Sequence, residues 1–390
     1  MNRKMFGAAL ALLVAPMVSA EPISAFALFG GNNANIGNGV TVTSGLVGSN
    51  NIMSINGGTS TLSIMGNGNL SGGAINASGD VIFNGNVNLS GAVHTGTINS
   101  GGTVTVGNGA VVNGDIRALG QVNLGGNSTV SGNVDSAKAT GVAVALGNGA
   151  TVAGIVTHTS TSTVSIGGGA SIGGNNTSTP PTPPTAYVPT VLAAATVFTA
   201  GTTDVNTVGN QTTSLAAGDY RNIDLGSNNV LNLGAGTYHF NTFKMAGSSK
   251  LNLNLAGGDI FLYFAGNVSM GNGLDVTVTG GDASGIYAET LGNWSQDGSG
   301  EWFGTIFGSG ASSDIHFGAS NMLTGAFYAR DVLDLDGSST VTLMGLDQAG
   351  SDAVDVPEPS SVLLGAIGLL GLGLSRRARR SPAVRSAKSA

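Results

Sequence analysis

The stretch from Val104 to Gly109 reads VTVGNG, and it contains the two signals that decide the fold. Val104, Thr105 and Val106 alternate apolar, polar and apolar, so a strand here directs two side chains to one face and one to the other. The Gly-Asn-Gly that follows supplies residues that adopt the positive φ of a tight corner. A short, half-buried strand that ends in a glycine corner is therefore predicted.

The same unit recurs along the chain. From Gly66 onward, successive glycine-asparagine corners are 19, 22, 18, 22 and 20 residues apart. Short alternating strands lie between them, at Val81–Phe83, Val87–Leu89, Val104–Val106, Val122–Leu124, 142–144 and 164–166. A period near 20 residues without a helical segment predicts an all-β parallel β-helix, or β-solenoid, in which each coil covers the apolar face of the last. Parallel stacking at about 4.8 Å would also align corner asparagines into hydrogen-bonded ladders.

A proline-rich interruption predicts two stacked-coil units. Residues 175–189 are rich in Thr and Pro and indicate an exposed, extended linker. Residues 21–174 form the Gly/Asn/Val-rich unit, and residues 190–355 form a second solenoid unit with longer and more aromatic strands. The alanine-rich stretch at 191–200 is compatible with a short helix or a strand. An irregular insertion is expected at 280–310.

Composition excludes several classes of protein. All 21 acidic residues lie between Glu21 and Glu358, whereas eight of the 14 basic residues lie in the terminal segments, so the body has six basic residues and a net charge of −15. Such a surface does not favour a nucleic-acid partner. The chain has no cysteine, which excludes disulfides, thiol catalysis and cysteine-based zinc sites. Mean hydropathy is positive at +0.23, which argues against disorder.

Both termini resemble targeting segments. Residues 1–20 contain a basic start, an apolar segment and the small residues of a cleavage site, which is the pattern of a secretory signal peptide. At the other end, Pro357, Glu358 and Pro359 precede an apolar segment at 362–374. Four basic residues then follow and are predicted to stop transfer at the cytoplasmic face: Arg376, Arg377, Arg379 and Arg380.

This C-terminal order, at 357–380, resembles the PEP-CTERM sorting signal of Gram-negative bacteria. The resemblance implies export through the Sec translocon, transient anchoring by a transmembrane segment in the inner membrane, and processing by an exosortase near Pro357, Glu358 and Pro359. It further implies delivery to the cell envelope, the cell surface or the extracellular matrix. An ordinary membrane anchor is the alternative, but the apolar segment is short for a spanning helix and contains four glycines.

The body resembles known bacterial solenoids in pattern. Its valine-rich coils with Gly-Asn-Gly corners are similar to those of bactofilin-type proteins. The strand Ile260–Phe264 and the segment 323–329 are similar to the solenoid of bacterial ice-binding and adhesin-like proteins. These resemblances imply a fold, and function must be argued from sites.

Residues that could catalyse a reaction or bind a ligand are sparse. Asp334 and Asp336, with Asp331 nearby, share one strand face and form the best carboxylate cluster. The cluster is a candidate for ligand binding, calcium binding or catalysis. The alternative is a solvated acidic face without a ligand. Trp294 and Trp302 lie in the insertion, where exposed rings would stack on sugars and buried rings would pack the core. No cofactor and no metal site are predicted, because the four histidines are isolated and expected to face outward: His94, His158, His239 and His316.

Four Thr-x-Thr pairs, at 41/43, 103/105, 277/279 and 340/342, are compatible with a water-ordering face or with simple β-propensity, and they are not in successive coils of the sequence.

The sequence thus predicts a non-enzymatic, secreted structural or adhesive protein of the surface or biofilm matrix. Matrix polysaccharide and further copies of the chain are its candidate partners. Carbohydrate or ice binding is the alternative, and a polysaccharide-active enzyme is the second alternative.

Overall fold

The computed structural model describes residues 20–346, and these residues form an all-β parallel β-solenoid of about 16 turns with almost no helix. Two single-turn 3-10 helices, Ile23–Ala25 and Ala283–Gly285, are the helical elements of this part of the chain. The predicted signal peptide and the sorting segment 357–380 lie outside the described residues, apart from Ala20. Within 20–346, no helix is long and apolar enough to cross a membrane.

Each coil is a triangle of three short strands, and equivalent strands stack into three faces. Face 1 contains Phe26–Gly30, Leu46–Ser49, Ile64–Gly66, Val81–Phe83, Ile98–Ser100, Ile116–Ala118, Val134–Ser136, Gly218–Asp219, Gly236–Phe240, Ile260–Phe264, Ile286–Thr290, Thr305–Gly308 and Phe327–Ala329.

Face 2 is a single 15-stranded sheet with the strands Asn33–Ile36, Ile52–Ile55, Leu70–Gly72, Val87–Leu89, Val104–Val106, Val122–Leu124, Gly141–Leu146, Ser162–Ile166, Val205–Thr207, Asn222–Leu225, Thr242–Met245, Val268–Met270, Trp294–Gln296, Ile315–Phe317 and Val332–Leu335.

Face 3 contains Thr41–Val42, Thr59–Thr61, Ile75–Ala77, Val93–Thr95, Val111–Val112, Thr129–Val130, Thr212–Leu215, Val230–Gly234, Lys250–Asn254, Asp275–Thr279, Glu301–Phe303, Met322–Thr324 and Thr340–Thr342. Two longer strands, Thr151–His158 and Ser171–Asn176, bend from face 3 into face 1 of the following coil. The segment 280–310 forms ordinary coil strands, so the expectation of an irregular insertion there is wrong.

The alternating pattern places one core inside the triangle. Val104 pairs with Val122, which pairs with Val144, and all three side chains are fully buried. The intervening Thr105 and Asn123 face outward, as the pattern of alternation predicts. Burying a row of aliphatic side chains contributes about 1.5–3 kcal/mol for each, before chain entropy is subtracted. Because one coil cannot enclose its own apolar row, stability comes from stacking.

Corner asparagines join successive coils, both to one another, as Asn84 Nδ2 donates to Asn67 Oδ1 at 2.8 Å, and to backbone N–H groups. Asn86 accepts the backbone N–H of Thr103 at 2.7 Å, and Asn108 accepts that of Gly126 at 2.7 Å, so each side chain ties its own coil to the next. Gly109 has a φ of +69° at such a corner, a conformation that glycine adopts without strain. A Cβ at Gly107 would lie 2.3 Å from the Ser90 carbonyl oxygen, which explains why the corner also needs glycine for close stacking.

The two runs of coils meet directly at an interface that we call the seam. The last coil, with Phe327–Ala329, Val332–Leu335 and Thr340–Thr342, pairs in parallel with the first coil. On the three faces, Leu28 lies opposite Phe327, Ala34 opposite Leu333, and Val42 opposite Val341. The chain therefore builds one continuous rod from two runs that are distant in sequence. The predicted boundaries at 174 and 190 stay predictions.

The rod has a direction. The run from 205 to 342 advances toward the seam and the run from 26 to 176 advances away from it, so both advance the same way along the axis. The first coil of the later run, at 205–219, forms one end of the rod, which we call the start end. The last coil of the earlier run, at 162–176, forms the other end, which we call the finish end.

A single extended segment, 177–204, returns the chain from the finish end to the start end, and we call it the strap. It must cross about 14 coil spacings, or about 67 Å at about 4.8 Å each. A helix rising about 1.5 Å per residue would cover only about 43 Å over the connection, whereas an extended chain at about 3.1 Å per residue covers about 90 Å. Accordingly the stretch 191–200 forms neither helix nor strand.

The strap packs on face 1. Thr185 N–H donates to Asn99 Oδ1 at 2.9 Å, and Asn84 Nδ2 donates to the Tyr187 carbonyl at 2.7 Å. Tyr187 packs with Phe26 and Phe29 in a cluster of its own beside the main core. The expectation of an exposed linker is therefore wrong at Tyr187, which is buried.

Candidate functional site

The predicted carboxylates lie on open sheet surface beside the seam. Asp334 points outward from face 2, and Asp336 lies at the following corner. Asp334 Oδ2 is 3.3 Å from His316 Nδ1, while Asp336 Oδ2 is 3.9 Å from His316 Nε2. The two carboxylates therefore face opposite nitrogens of one imidazole ring and do not converge on a common point. Within 20–346, no group of three or more His, Asp or Glu residues is placed to hold a metal ion.

Asp331 is separated from this pair. Its Oδ1 accepts a hydrogen bond from Asn32 Nδ2 at 3.0 Å, and Asn32 Oδ1 in turn accepts one from Asn51 Nδ2 at 2.9 Å. The corner ladder thus continues across the seam, and Asp331 has a structural role in it.

Both tryptophans are in the core. Trp294 is 1% exposed and Trp302 is fully buried, and their rings pack edge to face with centroids 4.8 Å apart. Trp302 Nε1 donates to the Gly304 carbonyl at 3.2 Å. The tryptophan part of the predicted ligand-binding site is therefore wrong, because neither ring face is available to a sugar.

One histidine also departs from expectation. His158 is buried, and its Nδ1 lies 2.9 Å from the Thr159 carbonyl and 3.0 Å from Ser162 Oγ. His94, His239 and His316 face outward as predicted.

The seam creates a threonine patch that sequence order conceals. Thr41 lies opposite Thr340, and Thr43 Oγ1 lies 2.8 Å from Thr342 Oγ1. Thr324 lies opposite Thr342 in the next coil. Five outward threonines therefore occupy three successive coils of face 3. The pairs at 41/43 and 340/342 are 299 residues apart in sequence and adjacent in space, so their separation in the sequence was misleading.

Face 2 presents a second regular surface. Its outward row consists of small polar side chains in successive coils: Asn35, Ser54, Ser71, Asn88, Thr105 and Asn123. In the later run a shallow depression of about 430 Å³ opens on this face, with Asn222, Asp224, Lys244 and Ser269 in its lining. The outward row of the earlier run is therefore rich in hydroxyl and amide groups.

Four of the six cations of the rod lie beside acids. Arg221 is adjacent to Asp204 and lowers the pKa of that carboxyl. Lys244 Nζ is 3.5 Å from Asp224, and Lys250 contacts Asp275. These pairs are exposed and contribute little to stability. Most of the acidic surplus therefore remains on the surface as a diffuse negative charge.

Under the strap, Glu289 is a buried carboxylate that sequence reasoning missed. It accepts hydrogen bonds from Thr196 N–H at 2.7 Å, from Thr196 Oγ1 at 2.6 Å and from Ser309 Oγ at 2.6 Å. Tyr287 Oη donates a fourth at 3.0 Å, and burial raises the pKa of this tyrosine. Glu289 thus fastens the strap to face 1. No sequence motif marks it, because its partner is 93 residues away.

Comparison with known proteins identifies the C-terminal segment. Residues 355–380 match the PEP-CTERM protein-sorting motif, so the chain carries the signal of an exosortase-sorted, secreted protein that is directed to the cell envelope or surface. No curated protein matches the chain. One solved structure, described as an ice binding protein from an Antarctic bacterium Flavobacteriaceae, aligns over 83% of this chain and 97% of its own, with 14% identity and a TM-score of 0.26. A TM-score of that size does not establish a shared architecture.

Truncation of a buried tryptophan and neutralisation of the surface acid are expected to change the free energy of unfolding by very different amounts. Trp302→Ala should reduce the free energy of unfolding by about 3–5 kcal/mol through loss of core packing. Asp334→Asn should change it by less than about 0.5 kcal/mol, since its side chain lies on exposed sheet surface. Chemical denaturation monitored by circular dichroism checks both, and an equal effect of the two changes would contradict the assignment of core and surface.

Proposed function

We propose that this chain is a non-enzymatic structural or adhesive component of the cell surface or extracellular polysaccharide matrix. The observation that carries the proposal is the combination of a PEP-CTERM motif with a rod whose exposed faces are regular polar rows. The motif accounts for delivery outside the cell. The rod supplies length and stiffness, and its small hydroxyl and amide side chains supply many weak contacts to hydrated polymers.

Several features support a role in the matrix over a role in catalysis. Asp334 and Asp336 face one histidine on open sheet, whereas the paired acids of polysaccharide-cleaving enzymes flank a bound sugar. The surplus negative charge disfavours collapse onto acidic polymers and favours contact with neutral polysaccharide through hydrogen bonds. Matrix polysaccharide is therefore the partner that we propose, with exosortase acting during export.

The sorting assignment predicts a defined export defect. Replacing Pro357 and Glu358 with alanine should leave the protein in the inner membrane, because the exosortase no longer recognises its site. Cell fractionation with detection of the solenoid measures this. The matched control replaces Ser360 and Ser361 with alanine, next to the motif, and should be delivered normally. Normal delivery of the first variant would refute exosortase-dependent sorting.

A second candidate function is binding of ice or of an ordered carbohydrate surface through the threonine patch. The specific observation is the array of Thr41, Thr43, Thr324, Thr340 and Thr342 on three successive coils. Outward threonines at regular spacing hold ordered water or sugar hydroxyls at fixed positions.

This candidate predicts that Thr43→Tyr abolishes thermal hysteresis, or pull-down on crystalline polysaccharide, because the bulky ring lifts the ligand off the flat patch. Thr129→Tyr, at an exposed threonine of face 3 in a distant coil, is the matched control and should retain the activity. Equal activity in both variants, or none in the unmodified protein, would refute a role for the patch.

A further inference from the structure

The rod has two open ends, and the finish end exposes part of the core. Ile166 is 51% exposed, although Leu146, which it covers in the coil beneath, is only 4% exposed. Val164 and Ile172 also point inward, and they are half-buried because no further coil lies above them. At the start end, Val205 and Leu215 are half-buried in the same way, although Ile223 and Leu233 beside them are buried.

We propose that the finish end of one copy stacks on the start end of a second copy, so that this chain assembles head to tail into a fibre. The inference depends on the fold and is independent of where the protein is delivered. The partner is a second copy because both halves of the required interface are present on each molecule.

The seam shows that the required geometry is one that this chain already forms. There the last coil of one run meets the first coil of another, with no chain connection between them, and the strands pair in parallel on all three faces. The finish end is likewise the last coil of a run, and the start end is the first coil of a run. Stacking them between molecules repeats the same strand direction and the same order of faces.

The register of this contact follows from the corners. Within the rod, Ile166 occupies the position of Leu146, and Leu225 that of Thr207. Aligning equivalent positions places Ile166 opposite Thr207 and Val164 opposite Val205. Both half-exposed apolar residues of face 2 are then covered, and the unpaired backbone groups of the two edges pair with each other.

The ends also lack the usual protection against such pairing. Soluble sheet proteins cover or charge their exposed edges, commonly with lysine, proline or a bulge. The finish coil, residues 159–176, contains no charged residue. At the start end Asp204 pairs with Arg221, and Asp219 on face 1 lies 2.6 Å from His239 Nδ1, so the strands of faces 2 and 3 at this end carry no charge. Gly201 N–H donates to the Tyr220 carbonyl, so the strap joins the start end at face 1 and leaves faces 2 and 3 free.

The described chain begins and ends away from both ends of the rod. The chain enters at Glu21, whose carbonyl accepts from Thr190 Oγ1, and it leaves beyond Leu343, which is hydrogen-bonded to Ser44. Both sites lie beside the seam, about 35 Å from either end at about 4.8 Å per coil. Because the contact joins two different surfaces along the rod axis, it does not close on itself and generates an open fibre.

The test uses the chain from Glu21 to Pro359, the form expected after both targeting segments are removed, which contains every residue of the rod. Analytical ultracentrifugation and electron microscopy should show concentration-dependent linear fibres with a repeat of about 72 Å, the length of about 15 coils. Ile166→Lys blocks the finish end and Leu215→Lys blocks the start end. Each should raise the concentration needed for assembly at least about tenfold.

A mixing experiment separates head-to-tail assembly from other modes. Ile166→Lys has only a free start end and Leu215→Lys only a free finish end, so each alone should be monomeric and a 1:1 mixture should yield heterodimers. Ile155→Lys is the matched control, since Ile155 is 47% exposed on the side of the rod; it should assemble normally. Unchanged melting curves in circular dichroism establish that the variants fold.

Three outcomes would overturn the proposal. The unmodified protein could remain monomeric at every concentration, or one blocked variant alone could assemble, which would indicate pairing of like ends. A chain that ends at Leu346 could assemble where the Pro359 form does not, which would show that the protein's own tail covers an end.

Discussion

The fold depends on the parallel pairing of the last coil with the first at the seam. Without this contact, the chain would consist of two shorter rods, each with two open ends, and each would leave more apolar surface in water. With it, the apolar interior continues past Leu28 and Phe327, and the side-chain hydrogen bonds of the corners continue from Asn32 to the carboxylate of Asp331. The seam also requires a return connection as long as the rod. The proline-rich strap, which stays extended, meets that requirement.

Much of the architecture could be read from the sequence because it is local and repeated. Alternation at Val104–Val106 predicted which side chains of the strand face the core and which face solvent. The Gly-Asn corners predicted the length of each coil and the hydrogen bonds between coils. What could not be read was the order in which coils stack at the centre. Nothing at Thr41 or Thr340 indicates that they are neighbours, since the contact is chosen by the complementarity of whole coils.

Sequence reasoning misplaced or missed some candidate site residues for a related reason. Trp294 and Trp302 lay in a stretch rich in Gly, Ser and Asp that resembled an insertion, yet the stretch follows the coil geometry and turns both rings inward. Glu289 carries no motif and was overlooked, although two of its four hydrogen bonds, both from Thr196, hold the strap in place. Tertiary partners decide such positions, and they are not encoded near the residue in sequence.

The structure and the sorting motif describe complementary parts of one protein. The motif directs the protein to the cell envelope or surface. The rod contributes flat polar faces, and its polypeptide leaves toward the sorting segment from beside the seam, near the middle of its length.

The seam can be tested directly because the chain contains no cysteine. Thr43→Cys combined with Thr342→Cys places two thiols on adjacent strands, about 4.8 Å apart at the Cα atoms, within the range that a disulfide spans. Mild oxidation should link these residues, 299 positions apart, and shift the mobility of the unfolded chain on a non-reducing gel. Thr43→Cys with Thr324→Cys, two coils and about 9.6 Å apart, should not link. Failure of the first pair to link, or equal linking of both pairs, would contradict the continuous rod.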